Sequence, residues 1–274
     1  MTKITLALPL IAAAAIATPA MAQDREDHFN GFYVGASVGK ANASNNKDAN
    51  PVQFDTNRDG EFNDTVTTTT GANVFARGYC PGVATGTAPG SCAGDDDDLE
   101  YAARMGYDMR MGSFVVGGVL EASKPQLRDA ATAYSTAPAG YHLSRELDYA
   151  VSARARLGFT PGGGALFYAA GGPSYAKIKH DFTTTNTANT FTPTNDGEMT
   201  WGWQAGGGAE IMVAGNLSLG LEYLYNRYDD DKYYVAAGAG TAPTNPLATN
   251  GGTYLRQDPK FQFHTVRATL GLQF

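Results

Sequence analysis

The sequence predicts an all-β fold, an eight-stranded antiparallel transmembrane up-and-down barrel with short periplasmic turns and long extracellular loops. Three observations point there. Apolar and polar residues alternate with period two over segments longer than ordinary soluble strands. Eight such segments occur, and an even count lets an up-and-down sheet close with both termini on one side. The connections between them alternate in length, short then long.

The elements follow in chain order. Residues 1–22 are expected to be a signal peptide rather than part of the fold. Lys3 supplies a short positive region, Pro9 and Pro19 break the apolar run, and Ala20-Met21-Ala22 fits a small-x-small cleavage site. The barrel domain is then residues 23–274, in which no run approaches the roughly 20 apolar residues of a spanning helix. The expected strands are FYVGASVG (32–39), LEYAARMGYD (99–108), FVVGGVLEA (114–122) and LDYAVSARARLGF (147–159). LFYAAGGPSYAKIK (166–179), TWGWQAGGGAEI (200–211), LSLGLEYLYNRY (217–228) and FQFHTVRATLGLQF (261–274) complete the set. MRMGS, TPGGGA and VAGN read as turns, whereas 40–98, 123–146, 180–199 and 229–260 are long, polar loops.

The 147–159 segment shows the alternation best. Leu147, Tyr149, Val151, Ala153, Ala155, Leu157 and Phe159 share one face, with Asp148, Ser152, Arg154 and Arg156 on the other. A tilted membrane strand needs about 9–11 residues. Parity places Tyr101, Tyr107, Tyr149, Tyr168, Trp201, Trp203, Tyr223 and Tyr225 outward, several at strand ends where an interfacial belt lies. It places Arg104, Asp108, Glu121, Arg154, Arg156, Lys177, Glu210, Glu222 and Arg267 inward. Eight strands enclose a space that side chains can fill, so these charges are expected to pair across the lumen.

The net charge of −7, with no basic patch, argues against nucleic acid as a partner. The two cysteines, Cys80 and Cys92, are expected to form a disulfide in an oxidising compartment. FDTNRDGEFND (54–64) opens like an EF-hand calcium loop. Asp55, Asn57 and Asp59 alternate before Gly60, with the Glu61 carbonyl and Asp64 to follow. Val66 stands where that loop needs a bidentate Glu, which weakens the match. The competing reading is a solvated Asp-Gly turn. Likewise, Asp95–Asp98 and Asp229–Asp231 form an acidic rim, either simply solvated or bridged by divalent ions to lipopolysaccharide.

The chain resembles the small eight-stranded outer-membrane barrels, of the opacity-protein and outer membrane protein A transmembrane-domain type. NGFYVGASVGKA, LGLEYLYNRY and the terminal HTVRATLGLQF carry the resemblance, which runs from about residue 30 to the end. Terminal Phe274, with Leu272, Leu270 and Ala268 alternating before it, resembles the signal read by the barrel-assembly machinery. The long 40–98 loop departs from a minimal barrel. The resemblance implies a bacterial outer-membrane location, with lipids and lipopolysaccharide as neighbours and no named extracellular partner. It implies a structural, adhesin-like or surface-antigen role, with a narrow passive pore as the alternative. Small-barrel enzymes of lipid acyl chains use a His with a Ser and an acid. Here the in-strand His264 has Val266 two residues on, so no enzyme is expected.

Overall fold

A computed structural model describes residues 28–43, 51–86, 92–93, 98–162 and 164–274. The signal-peptide reading, and Asp95–Asp97 of the acidic rim, lie outside the described residues. The barrel strands are β1 (Gly31–Ala43), β2 (Asp98–Met111), β3 (Phe114–Pro125) and β4 (Ala139–Gly162). β5 (Ala165–Thr184), β6 (Met199–Ala214), β7 (Leu217–Asp229) and β8 (Lys260–Gln273) follow. Each pairs antiparallel with its chain neighbours, and β1 pairs with β8, so the eight-stranded sheet closes without an edge. Closure satisfies every ladder where a bilayer offers no hydrogen bonds.

The turns are as tight as expected. Gly112 has φ +63° between β2 and β3, a conformation that a side chain disfavours. The start of β1 and the end of β8 meet at the periplasmic rim, where the Phe274 amide donates to the Phe32 carbonyl (2.9 Å). Apolar side chains stand outward, including Met105, Leu120, Leu157, Leu221, Val266 and Leu270. Aromatic rings mark both ends of this band. Phe32, Tyr107, Phe114, Phe159, Phe167 and Phe274 lie below it, with Tyr101, Tyr149, Trp201, Trp203 and Tyr223 above. Rings that are part apolar and part polarisable belong at such interfaces.

Four residues face opposite to the parity reading, Asp148 among them, which turns outward to Lys124 (3.6 Å) and Lys179 (2.9 Å). Tyr168 is buried in the lumen, whereas Lys177 points away from it. Both follow from one parity slip in β5, where Leu166, Tyr168, Ala170, Ala176 and Ile178 point in. Phe167, not Tyr168, carries the outer aromatic position. The fourth is Leu147, which is buried because the β4–β5 register skips Asp148, pairing Tyr149 with Lys177 and Leu147 with Ile178. A bulge of one residue inverts the face of everything beyond it.

The largest difference lies above the membrane. β4 is 24 residues long and β5 20, about twice what a bilayer requires. Their outer halves stay paired, and a further strand, Arg128–Ser135, extends the same sheet and pairs with Tyr79–Pro81. The loops form a second, four-stranded sheet in the order Thr190–Thr194, Tyr234–Gly238, Thr253–Gln257, Val52–Asp55. Between the two lies an apolar core containing Val52, Phe54, Val66, Phe75, Tyr141, Leu143, Val235 and Leu255. Phe54 and Phe75 stack at 4.4 Å, and Phe75 meets Tyr141 edge-on at 5.2 Å. The polar loops are therefore a folded cap.

Candidate functional site

From the periplasmic rim upward, the lumen is built in layers. Phe29, Val115, Leu166, Tyr168 and Ala170 form the lowest, apolar layer. Above them Arg156 lies 3.2 Å from Glu210 and 3.8 Å from Asp108, its guanidinium 4.0 Å from the Tyr168 ring centre. Arg104 reaches Glu210 (3.5 Å) and Glu222 (3.4 Å), while the Tyr168 hydroxyl donates to Glu222 (2.7 Å). Arg154 makes two parallel bonds to Glu121, 3.1 and 2.9 Å, and a third to Gln204 (2.7 Å). Arg267 contacts Glu100 (3.3 Å), Glu121 (2.7 Å) and Glu222 (2.5 Å).

Each guanidinium thus meets carboxylates on other strands. In a dry interior an ion pair offsets its desolvation cost only with such multiple hydrogen bonds. The structure brings together Arg104, Glu121, Arg154, Arg156, Glu210, Glu222 and Arg267 as the alternation predicts. It does not bring Lys177, whose side chain lies instead near Gly197 in the outer loops. Sequence reasoning missed Glu100, although it precedes Arg104 by four positions and so shares its face.

Over the charges sits a second apolar layer of Ala41, Leu127, Leu147, Ala150, Ala176, Ile178, Tyr228, Phe261 and Phe263. Higher still, Arg145 is wholly inside and joins Asp129 (2.7 Å) to Asp230 (3.1 Å). His180 Nε2 is hydrogen-bonded to the Asp230 carboxylate (3.0 Å), and its ring stacks on Tyr233 at 4.0 Å. This cluster ties the ends of β4, β5 and β7 to the cap. Nothing in the parity pattern announced it, because its members come from loops and strand extensions.

The calcium-like stretch forms a turn whose oxygens are turned to its own backbone. Asp55 is 0 % exposed, and its carboxylate accepts the Arg58 amide (2.5 Å) and the Gly60 amide (3.0 Å). Asn57 accepts from the Asp59 amide (3.0 Å), and Asp59 from the Glu61 amide (2.8 Å). The Glu61 amide, together with Asn57 Nδ2 donating to the other oxygen (2.8 Å), holds the exposed Asp59 carboxyl below the usual carboxylate range. Asp64 turns to Thr56, accepting its amide and hydroxyl at 2.8 Å each. Asp55, Asn57 and Asp59 thus share one turn, Glu61 is exposed and Asp64 serves another contact. No group of three or more His, Cys, Asp or Glu side chains converges as a metal site among the described residues. Cys80 and Cys92 are bonded, S–S 2.01 Å.

A closed sheet with a lipid-facing apolar band, aromatic girdles and a paired polar interior defines an outer-membrane barrel protein. The outer membrane protein beta-barrel domain family matches residues 9–274, and the chain belongs to that family in the bacterial outer membrane. It is 30 % identical over 127 residues to the 31 kDa outer-membrane immunogenic protein of Brucella melitensis, and equally to that of Brucella suis. The match covers 44 % of this chain and 43 % of each relative, under half of their length. In three dimensions it is similar to the outer membrane protein OprG of Pseudomonas aeruginosa, with a TM-score of 0.51 and 12 % identity. That alignment covers 92 % of this chain and 100 % of OprG.

Proposed function

We propose that this barrel is a closed support for its extracellular cap, with a structural or surface-interaction role rather than a pore function. One observation carries the reading: the lumen is filled by an ion-pair network lying between two apolar layers. An ion crossing it would have to separate buried pairs and enter an apolar zone. The Brucella relatives are described as immunogenic, which fits a chain whose cap is presented outside the cell. The reading is also non-enzymatic. His264 is hydrogen-bonded to the Tyr223 hydroxyl (2.6 Å), and His180 is fixed between Asp230 and Tyr233.

On this reading the partners within the membrane are lipids and lipopolysaccharide around the outer girdle, and the assembly machinery at β8 with its terminal Phe274. The role of the loops is structural, through the cap core, the Asp55 turn and the disulfide. Planar-bilayer recording of the refolded protein tests the closed lumen. Absence of steady current in the wild type is the expected result, and sustained openings would favour the narrow pore instead. Adhesion of cells carrying the wild type or a variant with the cap loops trimmed tests the surface role. Equal adhesion would count against it.

A further inference from the structure

The lumen holds unequal numbers of opposite charges. The guanidiniums of Arg104, Arg154, Arg156 and Arg267 meet the carboxyls of Glu100, Asp108, Glu121, Glu210 and Glu222, and all of these residues are buried. Arg110, on the same face of β2, lies at the periplasmic rim and donates to the carbonyls of Gly112 and His28. Lys40 and Lys124 point outward. One carboxyl among the described residues is therefore in excess, and an uncompensated carboxylate in a dry interior is costly.

Asp108 is the member least provided for. Its ion-pair partner, Arg156 Nη1, is 3.8 Å from Oδ2, beyond hydrogen-bond reach. Its Oδ1 has no hydrogen-bond partner, a state shared by Glu210 Oε1 and Glu100 Oε2, but those residues keep a guanidinium within 3.3 Å, and Asp108 is 1 % exposed. By contrast Glu121 and Glu222 each accept guanidinium hydrogen bonds under 3 Å. Glu100 is bonded to Arg267 at 3.3 Å, and Glu210 lies 3.2 Å from Arg156. The groups facing Asp108 are Arg156 on β4, Glu210 on β6, Arg104 on its own strand and Tyr33 on β1. Tyr168 of β5 covers Arg156, and Glu222 of β7 reaches this layer through Arg104. β8 sends Arg267 to the layer above. β3 presents Gly117, where a Cβ would lie 2.0 Å from Asp108 Oδ1, so the carboxyl rests directly on backbone.

We propose that the sealed lumen is made neutral by one proton held on Asp108. The inference rests on the closed-lumen reading, since a water-filled lumen would solvate the extra charge. A proton needs almost no added volume beside Gly117 and removes the charge that no guanidinium hydrogen bond reaches. Because the folded state then binds one proton more than the unfolded chain, stability falls as pH rises above the ordinary carboxylate range.

Infrared spectra of the barrel refolded in lipid vesicles at neutral pH test this. The expected wild-type spectrum contains the C=O stretch of one protonated carboxyl, absent in the near-isosteric Asp108→Asn. It should also vanish in Glu210→Gln, where four acids face four guanidiniums and Asp108 can ionise beside Arg156. A band that survives Asp108→Asn but is lost in Glu100→Gln would put the proton elsewhere and overturn the assignment. No band in a folded wild type would overturn the inference, whereas a silent bilayer recording of the same sample would leave the closed lumen standing. As a second readout, the unfolding equilibria of wild type and Asp108→Asn should diverge by about tenfold per pH unit, one proton's worth.

Discussion

Arg267 of β8 and Glu222 of β7 stand directly opposite each other in the ladder, with Arg267 Nε 2.9 Å and Nη2 2.5 Å from the same carboxylate oxygen. The guanidinium also reaches across the barrel to Glu121 of β3, at 2.7 and 2.8 Å. One side chain thus links strands that are not neighbours in the sheet.

Removing a member of this link leaves its partner buried and unpaired. Glu121→Ala, which strips both Arg154 and Arg267 of a bidentate acceptor, is expected to destabilise the barrel by about 3–5 kcal/mol. Urea unfolding in lipid vesicles, followed by tryptophan fluorescence, would measure it. A loss well below 1 kcal/mol would mean that water replaces the carboxylate and that the lumen is wetter than its packing suggests.

The cap should fail separately from the barrel. Phe75 is 2 % exposed and packed on Phe54 and Tyr141, so Phe75→Ala should cost about 3–5 kcal/mol of local stability. Limited proteolysis should then cut the 51–86 segment rapidly while the membrane strands stay protected. Concerted digestion of both parts would show a single cooperative unit.

Cys80 lies in the Tyr79–Pro81 strand and is bonded to Cys92, 12 positions on. Closing a loop of that length constrains the unfolded chain by about 3 kcal/mol. Cys80→Ser with Cys92→Ser should lower the cap's resistance to urea by about that amount. The unfolding midpoint of the membrane strands should be unchanged.

Acid should loosen the cap at the Asp230 cluster. Burial pushes the Asp230 carboxyl up, but the His180 hydrogen bond and the Arg145 guanidinium outweigh it and hold it below the usual carboxylate range. A carboxyl lowered in the folded state contributes stability that is complete above its unfolded value, about 3.9, and lost as pH falls through its folded value. Hydrogen exchange of residues 180–199 and 230–259 should therefore quicken as pH drops below about 4, after correction for intrinsic rates. Asp230→Asn should show fast exchange already at neutral pH.

The carboxylates of the 54–64 turn already accept donors from the chain itself. Asp55 accepts two amides from inside a buried position, and Asp64 is committed to Thr56. Calorimetric calcium titration is expected to give no saturable heat up to millimolar concentrations. Saturable binding, lost in Asp59→Ala, would show that the turn reopens to take a ligand.

What could be read from sequence divides at the membrane surface. Inside the bilayer a strand has one lipid face and one lumen face, so residues such as Val151, Ser152, Arg154 and Leu157 must alternate. All eight membrane strands follow from that constraint. Tyr168 lies within the span, but Phe167 beside it is equally aromatic and gives the alternation no phase, whereas the other errors came where the constraint lapses. Leu147 lies beyond the Asp148 bulge, and Lys177 is near the rim, where a charge can face either way. The cap was illegible because its strands are four or five residues long and pair between distant loops, as Thr190 does with Gly238. Short strands of that kind have no periodicity to report, and only the apolar core they bury reveals them.

The four-stranded cap sheet sets residues 52–55 beside 253–257, and 234–238 beside 190–194. A molecule that grips its outer face must therefore touch stretches that lie far apart along the chain. No single peptide cut from the sheet would present such a surface, and the barrel strands are what hold its pieces together. Sequence drift within one loop would shift neighbours contributed by the others, so the loops would be expected to vary in concert.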